Sequence, residues 1–249
     1  MPRNGFIRRT LLRLFDRLTD RAGNRLMDDI VPRRAPLIAR PYGDSFNLID
    51  VAFFEAAKAS AAFWREHMIT AKACRSREEL LAHALSLAHG PGLFLEFGVA
   101  TGETIAQIAG YRREVQVFGF DSFEGLPETW RTGFPKGAFS HPVPEVPDNV
   151  HLIKGWFADT LPRFAAEHNE PVAFLHLDCD LYSSTKCVFD CLESRIGPGC
   201  VIVFDEYFNY PGWEQHEHRA FSELVEQHRL GFRYDAFVPD HQQACVVIE

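Results

Sequence analysis

The chain is predicted to fold as an α/β domain around a doubly wound, seven-stranded, mostly parallel sheet with one antiparallel strand. Three observations lead there. From residue 93 onward, short strand-like runs alternate with helical patterns. The strand cores are continuous apolar runs, such as Val201-Ile202-Val203-Phe204, as strands covered on both faces read. The last two runs are separated only by the polar Asp240-His241-Gln242-Gln243, too short for a crossover helix, so they form an antiparallel hairpin.

The elements follow in order. Near the N-terminus, Ile7, Leu11, Leu14 and Leu18 recur at helical spacing, with Arg8, Arg9, Arg13, Arg17, Arg21 and Arg25 around them. A packing or oligomer helix, a flexible arm and a membrane-surface helix all fit that pattern, and it suits a homodimer. Residues 28–45 are broken by Pro32, Pro36, Pro41 and Gly43 and read as a linker. Residues 46–89 are mostly helical, with helices expected over 50–67 and 76–89, the second opened by a Ser76/Glu79 capping box. Gly90-Pro91-Gly92 ends this N-terminal helical extension or lid (residues 1–89), and the α/β domain occupies residues 90–249. Within it, strands are expected at 93–97, 115–120, 150–154, 172–177, 201–204, 232–238 and 244–248. Helices are expected near 103–112, 158–167, 183–195 and 213–228. The segment 127–148 is Gly/Pro/aromatic-rich and too long for a tight connection, and reads as a functional lid.

Composition excludes several function classes. A net charge of −8 argues against a general nucleic-acid binder, which needs a basic surface. No apolar run approaches the ~20 residues of a membrane span, so stable membrane insertion is not expected, and no signal peptide is visible. The six cysteines form neither Cys-x-x-Cys pairs nor zinc-ligand spacings, which reads as a reduced, cytoplasmic protein.

Chemistry is expected at the carboxyl ends of the strands, where ligands collect in such sheets. The first strand runs through Glu96 into the turn Gly98-Val-Ala-Thr101-Gly102, whose glycines admit close approach of a ligand. Nineteen residues past Gly102 the second strand ends at Asp121-Ser122, where a carboxylate can accept from ribose hydroxyls. The Gly-x-x-x-Gly spacing lacks the middle glycine that makes room for a pyrophosphate, which favours S-adenosylmethionine over a dinucleotide. After the third strand, Gly155-Trp156-Phe157 stand where an adenine ring would lie, and stacking and plain core packing both fit.

The fourth and fifth strands end in Asp178-Cys179-Asp180 and Asp205-Glu206, which would crowd carboxylates into one crevice. Such crowding calls for a cation or shared protons, and hard oxygen donors suit Mg²⁺ or Ca²⁺. Alternatively, Asp178 or Asp180 caps the helix opened by Ser183-Ser184-Thr185. Asp159 is a further candidate cap. His176 is either a buried histidine bonded to backbone or a general base. The aromatic run from Tyr207 to Trp213, with His216 and His218 after it, reads as a wall of an acceptor pocket.

Four motifs, Glu96-Phe-Gly-Val-Ala-Thr-Gly102, Gly119-Phe-Asp-Ser-Phe-Glu-Gly-Leu-Pro127, Leu177-Asp-Cys-Asp-Leu-Tyr-Ser-Ser-Thr185 and Val203-Phe-Asp-Glu-Tyr207, resemble class I S-adenosylmethionine-dependent methyltransferases. The macrocin O-methyltransferase family is the most similar group, and the resemblance covers roughly residues 90–249. It implies a Rossmann-like fold and Mg²⁺-dependent O-methylation of a small hydroxylated molecule, such as a sugar. It also implies metal ligands Asp178, Asp205 and Glu206. The family usually has aspartate where Glu206 stands and glycine where Cys179 stands. On this reading Glu96, Gly98, Thr101, Gly102, Asp121, Ser122, Gly155, Trp156, Phe157 and Asp178 bind the cofactor, and Asp178 and His176 are the catalytic candidates. Two rivals stand beside it: a non-catalytic scaffold of the same fold and a nicotinamide-dependent oxidoreductase.

Overall fold

The structure, a computed structural model, describes residues 47–249, so the basic N-terminal helix and the 28–45 linker lie outside the described residues. The chain divides into two compact units, Met1–Phe54 and Glu55–Glu249. The described elements are α1 (Leu48–His67), β1 (Lys72–Ala73), α2 (Arg77–Leu87), β2 (Leu93–Phe97), α3 (Glu103–Tyr111), β3 (Val117–Asp121), β4 (Val150–Lys154), α4 (Phe157–Glu167), β5 (Val172–Leu177), α5 (Tyr182–Leu192), β6 (Val201–Phe204), α6 (Glu217–His228), β7 (Phe232–Phe237) and β8 (Ala244–Ile248). None of these helices is long and apolar enough to cross a membrane.

One eight-stranded sheet has the order β1-β7-β8-β6-β5-β2-β3-β4. β8 pairs antiparallel with both β6 and β7, and the other pairings are parallel. The expected single antiparallel strand is therefore β8. The eighth strand, β1, is an addition: two exposed residues, Lys72 and Ala73, added in parallel to β7. It carries no apolar pattern, because its place at the sheet edge is set by backbone pairing alone.

Burial explains the sequence runs. Every residue of β2, β5, β6 and β8 is buried, so these strands need apolar side chains on both faces. Phe97 and Phe120 stack with ring centroids 4.7 Å apart, and Phe164 of α4 meets Phe120 edge-on at 5.0 Å, tying helix to sheet. α2 starts at Ser76, whose Oγ accepts from the Glu79 amide at 3.3 Å. Glu79 reaches back to the amide of Arg75 at 3.1 Å, one residue short of the reciprocal partner in a full capping box.

This topology fixes where a ligand can sit. From β2 the chain runs outward through β3 to β4, then returns to β5 on the other side of β2 and proceeds to β6. The strand order reverses between β2 and β5, so their carboxyl ends diverge into a crevice. Gly98 leaves β2 and Asp178 leaves β5 at that point.

Candidate functional site

Gly98 has φ +93°, and a Cβ built on it would lie 1.7 Å from the carbonyl oxygen of Asp178. Only hydrogen fits between the two strand ends, which the Asp178 amide locks by donating to the Phe97 carbonyl at 2.9 Å. The turn then passes through Ala100 at φ 43°, uncommon for a residue with a side chain. Asp121 stabilises that geometry: Oδ2 accepts from the amides of Val99 at 2.9 Å and Ala100 at 2.8 Å. Its Oδ1 accepts from the Phe123 amide at 2.7 Å. Asp121 thus braces the glycine turn besides facing the cavity.

The cavity there has a volume of about 540 Å³, within the range of small-molecule sites. Gly98, Ala100, Asp121, Ser122, Trp156 and Phe157 line one part of it; Asp178, Cys179, Asp180, Asp205 and Glu206 line another. The glycine turn and the acidic strand ends therefore share one chamber. Glu96, Thr101, Gly102, Gly155 and His176 do not line it. Glu96 and His176 lie behind its wall, fully buried in β2 and β5. Gly102 heads α3 at φ +82°, and a Cβ there would come 3.1 Å from Pro144 of the long 127–148 loop. That loop also contributes Pro127 and Phe139 to the wall.

The carboxylates are organised around a buried histidine. Glu96 and His176 are register partners in adjacent strands, and Glu96 Oε1 lies 2.7 Å from His176 Nδ1. His176 Nε2 is 3.8 Å from Asp205 Oδ1. Asp205 Oδ2 accepts from Gln243 Nε2 at 3.2 Å. Burial alone would strip the proton from His176, but Asp205 and Glu96 outweigh it and lift the pKa to about 10. Burial likewise works to raise Asp205, yet His176 and Arg77 hold it below the ordinary carboxylate value. Burial and the charge of Asp205 push Asp178 and Glu206 well up, and Asp180 to about 7. Glu217 is pushed well up by burial and by Asp180.

The alternative capping roles are not what these residues do. α5 is capped by Leu181 without a side-chain bond, and α4 by Trp156 without one, so neither Asp178, Asp180 nor Asp159 caps a helix. Asp180 instead sits at φ 61° in the cavity wall. The aromatic run after β6 also differs from expectation. Tyr207, Tyr210 and Trp213 are buried, and no residue from 207 to 218 lines the cavity. Tyr207 donates to or accepts from Tyr234 Oη at 2.7 Å, and Trp213 packs on Phe63 and His218. Large rings gain more from a packed core than from a solvated wall.

The residues fit a hard cation on one structural ground. One ligand atom each from His176, Asp178 and Asp205 lie within 4.8 Å of one another. Asp205 Oδ1, buried, has no hydrogen-bond partner among the described residues, and His176 offers Nε2 as a ligand only in its neutral form. The two carboxylates supply the oxygen donors Mg²⁺ prefers; Glu206 lies outside this group. Three other members of the site carry no sequence signal of function. Arg77 lies outside the motifs, Glu217 looks like an ordinary helix-start acid, and Gln243, which donates to Asp205, sits in a polar turn.

Removing His176 leaves Glu96 uncompensated in the core. His176→Gln is expected to destabilise the protein by roughly 3–5 kcal/mol, and Glu96→Gln/His176→Gln by less than the sum of the singles. The loss should depend on pH. A histidine with pKa about 10 in the folded state and ~6.5 unfolded stabilises fully below pH ~6.5 and loses that contribution as pH rises toward 10. In urea unfolding with chelator, the wild-type advantage over His176→Gln should therefore shrink from pH 6.5 to 10. A pH-independent gap would show that His176 is not charged.

A family model described as "Methyltransferase domain" matches residues 95–207. The chain is 32% identical over 147 residues to the 8-demethyl-8-(2,3-dimethoxy-alpha-L-rhamnosyl)-tetracenomycin-C 4'-O-methyltransferase of Streptomyces olivaceus, covering 49% of this chain and 55% of that one. It is 26% identical over 164 residues to the demethyldecarbamoylnovobiocin O-methyltransferase of Streptomyces niveus, covering 55% and 62%. The chain thus spans 55% and 62% of the lengths of these relatives. Among solved structures, a calicheamicin methyltransferase superposes with TM-score 0.57 at 24% identity, covering 69% of this chain and 80% of that one, a likeness of fold. The chain therefore has the Rossmann-like fold of these structures, matches a methyltransferase-domain model over residues 95–207, and resembles the macrocin O-methyltransferase family.

Proposed function

We propose that the protein transfers a methyl group from S-adenosylmethionine to a hydroxyl of a small molecule, a sugar moiety or another secondary metabolite, with Mg²⁺ as metal. The observation that carries this reading is the single chamber that joins the glycine turn, Asp121 and Trp156 to Asp178, Asp180 and Asp205. A nucleoside donor and a hydroxyl acceptor can meet only if both halves open into one space. A nicotinamide-dependent oxidoreductase has no use for the acidic half. Domain division follows the same reading: residues 90–249 hold the chemistry, and residues 1–89 shape acceptor access, as the presence of Arg77 in the wall supports.

S-adenosylmethionine, when bound, supplies an electrophilic methyl carbon. Gly98 and Ala100 offer close backbone approach for its amino-acid end, Asp121 accepts from ribose hydroxyls, and Trp156 offers a face to the adenine. A magnesium ion, when held by Asp178 and Asp205, lowers the pKa of an acceptor hydroxyl. Asp178 stands at the strand end nearest the turn and is the first choice for receiving the acceptor's proton. Asp180, with a pKa near 7 from burial and the charge of Asp205, is equally able to hold a proton at working pH. The oxygen–carbon bond forms as the carbon–sulfur bond breaks, so alignment is the main demand on the chamber. The six free cysteines suit a reduced cytoplasm.

The test is a label-transfer assay with methyl-labelled S-adenosylmethionine and a panel of hydroxylated sugars and phenols, with magnesium and with chelator. Label in at least one acceptor, lost with chelator, is the expected result. Binding of donor without transfer to any acceptor class would favour the scaffold reading.

A further inference from the structure

We propose that Arg77 is the resident counter-charge of the acidic crevice and competes with a divalent cation for Asp178 and Asp205, so that it sets the metal affinity of the site. The inference rests on reading the crevice as the metal-holding half of a methyltransferase site. Among the described residues, Arg77 is the one Lys or Arg side chain in the cavity wall, where it pairs with Asp178 and Asp205. It comes from the start of α2, outside the motif-bearing strands.

Its geometry is that of a removable partner. Arg77 Nη1 lies 3.9 Å from Asp178 Oδ2 and 3.7 Å from Asp205 Oδ2. Its Nη2 lies 4.0 Å from Glu103 Oε2. None of these is a hydrogen bond, so charge rather than a bidentate fork holds the guanidinium there. The side chain is 32% exposed and has solvent to retreat into. On the inner side, Asp205 Oδ1 faces His176 Nε2 at 3.8 Å, both more than nine-tenths buried and neither in a hydrogen bond. Arg77 thus covers the outer face of the pair, opposite His176 on the inner face.

Two cations that draw on the same two carboxylates repel each other, and the repulsion is strong in a partly desolvated cleft. Arg77 therefore lowers magnesium affinity while keeping the metal-free crevice tolerable. Without it, His176 is the remaining counter-charge beside Asp205, and the pair draws more strongly on metal.

Calorimetric titration of the full chain with magnesium chloride tests this for wild type, Arg77→Gln and Arg77→Lys. Arg77→Gln is expected to bind magnesium at least five-fold more tightly than wild type, and Arg77→Lys close to wild type. Equal or weaker binding in Arg77→Gln, or no magnesium binding by either protein, overturns the proposal. If Arg77→Gln does not fold, Arg77→Met measured against Arg77→Lys serves the same comparison. S-adenosylhomocysteine binding in chelator is measured on the same samples. Normal nucleoside binding with unchanged magnesium affinity sinks only the Arg77 proposal, whereas loss of nucleoside binding in wild type sinks the methyltransferase reading itself.

Discussion

Gly98→Ala is expected to lower the thermal midpoint by about 10 °C or to prevent folding. The new Cβ would sit 1.7 Å from the Asp178 carbonyl oxygen, at φ +93°, with backbone rather than a flexible side chain in the way. Relief requires parting the carboxyl ends of β2 and β5, and with them the bond from the Asp178 amide to Phe97. A cost of roughly 4 kcal/mol is in the range of strain at special backbone positions combined with lost packing, and each kcal/mol moves the midpoint of a domain this size by ~2–4 °C. Gly110→Ala is the internal control. It lies in α3, and its added Cβ would meet nothing within 4 Å. It should be neutral or stabilise by up to ~1 kcal/mol. Thermal unfolding of both variants checks the pair; a Gly98→Ala midpoint within 2–3 °C of wild type (roughly 1 kcal/mol) would mean that the two strand ends are not so closely apposed.

Asp178→Asn should lower turnover by about 10²–10³-fold or more, the scale of losing one preorganised electrostatic group, and should leave nucleoside affinity nearly intact. The side chain keeps its shape but loses the charge that holds a cation and the capacity to take a proton. Its backbone amide still donates to Phe97, so the fold is not at risk. Magnesium affinity should fall together with turnover, while S-adenosylhomocysteine binds within a few-fold of wild type. A variant with the wild-type rate would remove Asp178 from the mechanism.

Much of the architecture is legible because burial on both faces of a strand demands continuous apolar runs. β2, β4, β5, β6 and β8 match the expected ranges residue for residue, and the polar gap before β8 announces the antiparallel strand. β1 is not legible, since Lys72 and Ala73 are held by pairing and not by side-chain burial. The site divides along the same line. Gly98, Asp121 and Asp178 are visible because strand ends and glycine turns mark where a ligand crevice opens. Arg77 and Gln243 reach the site from elements that carry no motif, so only the folded chain brings them to Asp205. The aromatic run from Tyr207 to Trp213 shows the limit in the other direction: composition does not distinguish a pocket wall from a core, and packing against Phe63, Tyr234 and His218 decides for the core.

Calorimetric titration of the purified chain with S-adenosylhomocysteine in magnesium buffer tests the methyl-donor assignment of the chamber. Binding with a micromolar dissociation constant, weakened by substitution of Asp121, which braces the turn and faces the cavity, is the result this account expects. No binding by a folded wild-type protein would contradict it, because the chamber would then serve some ligand other than the methyl donor.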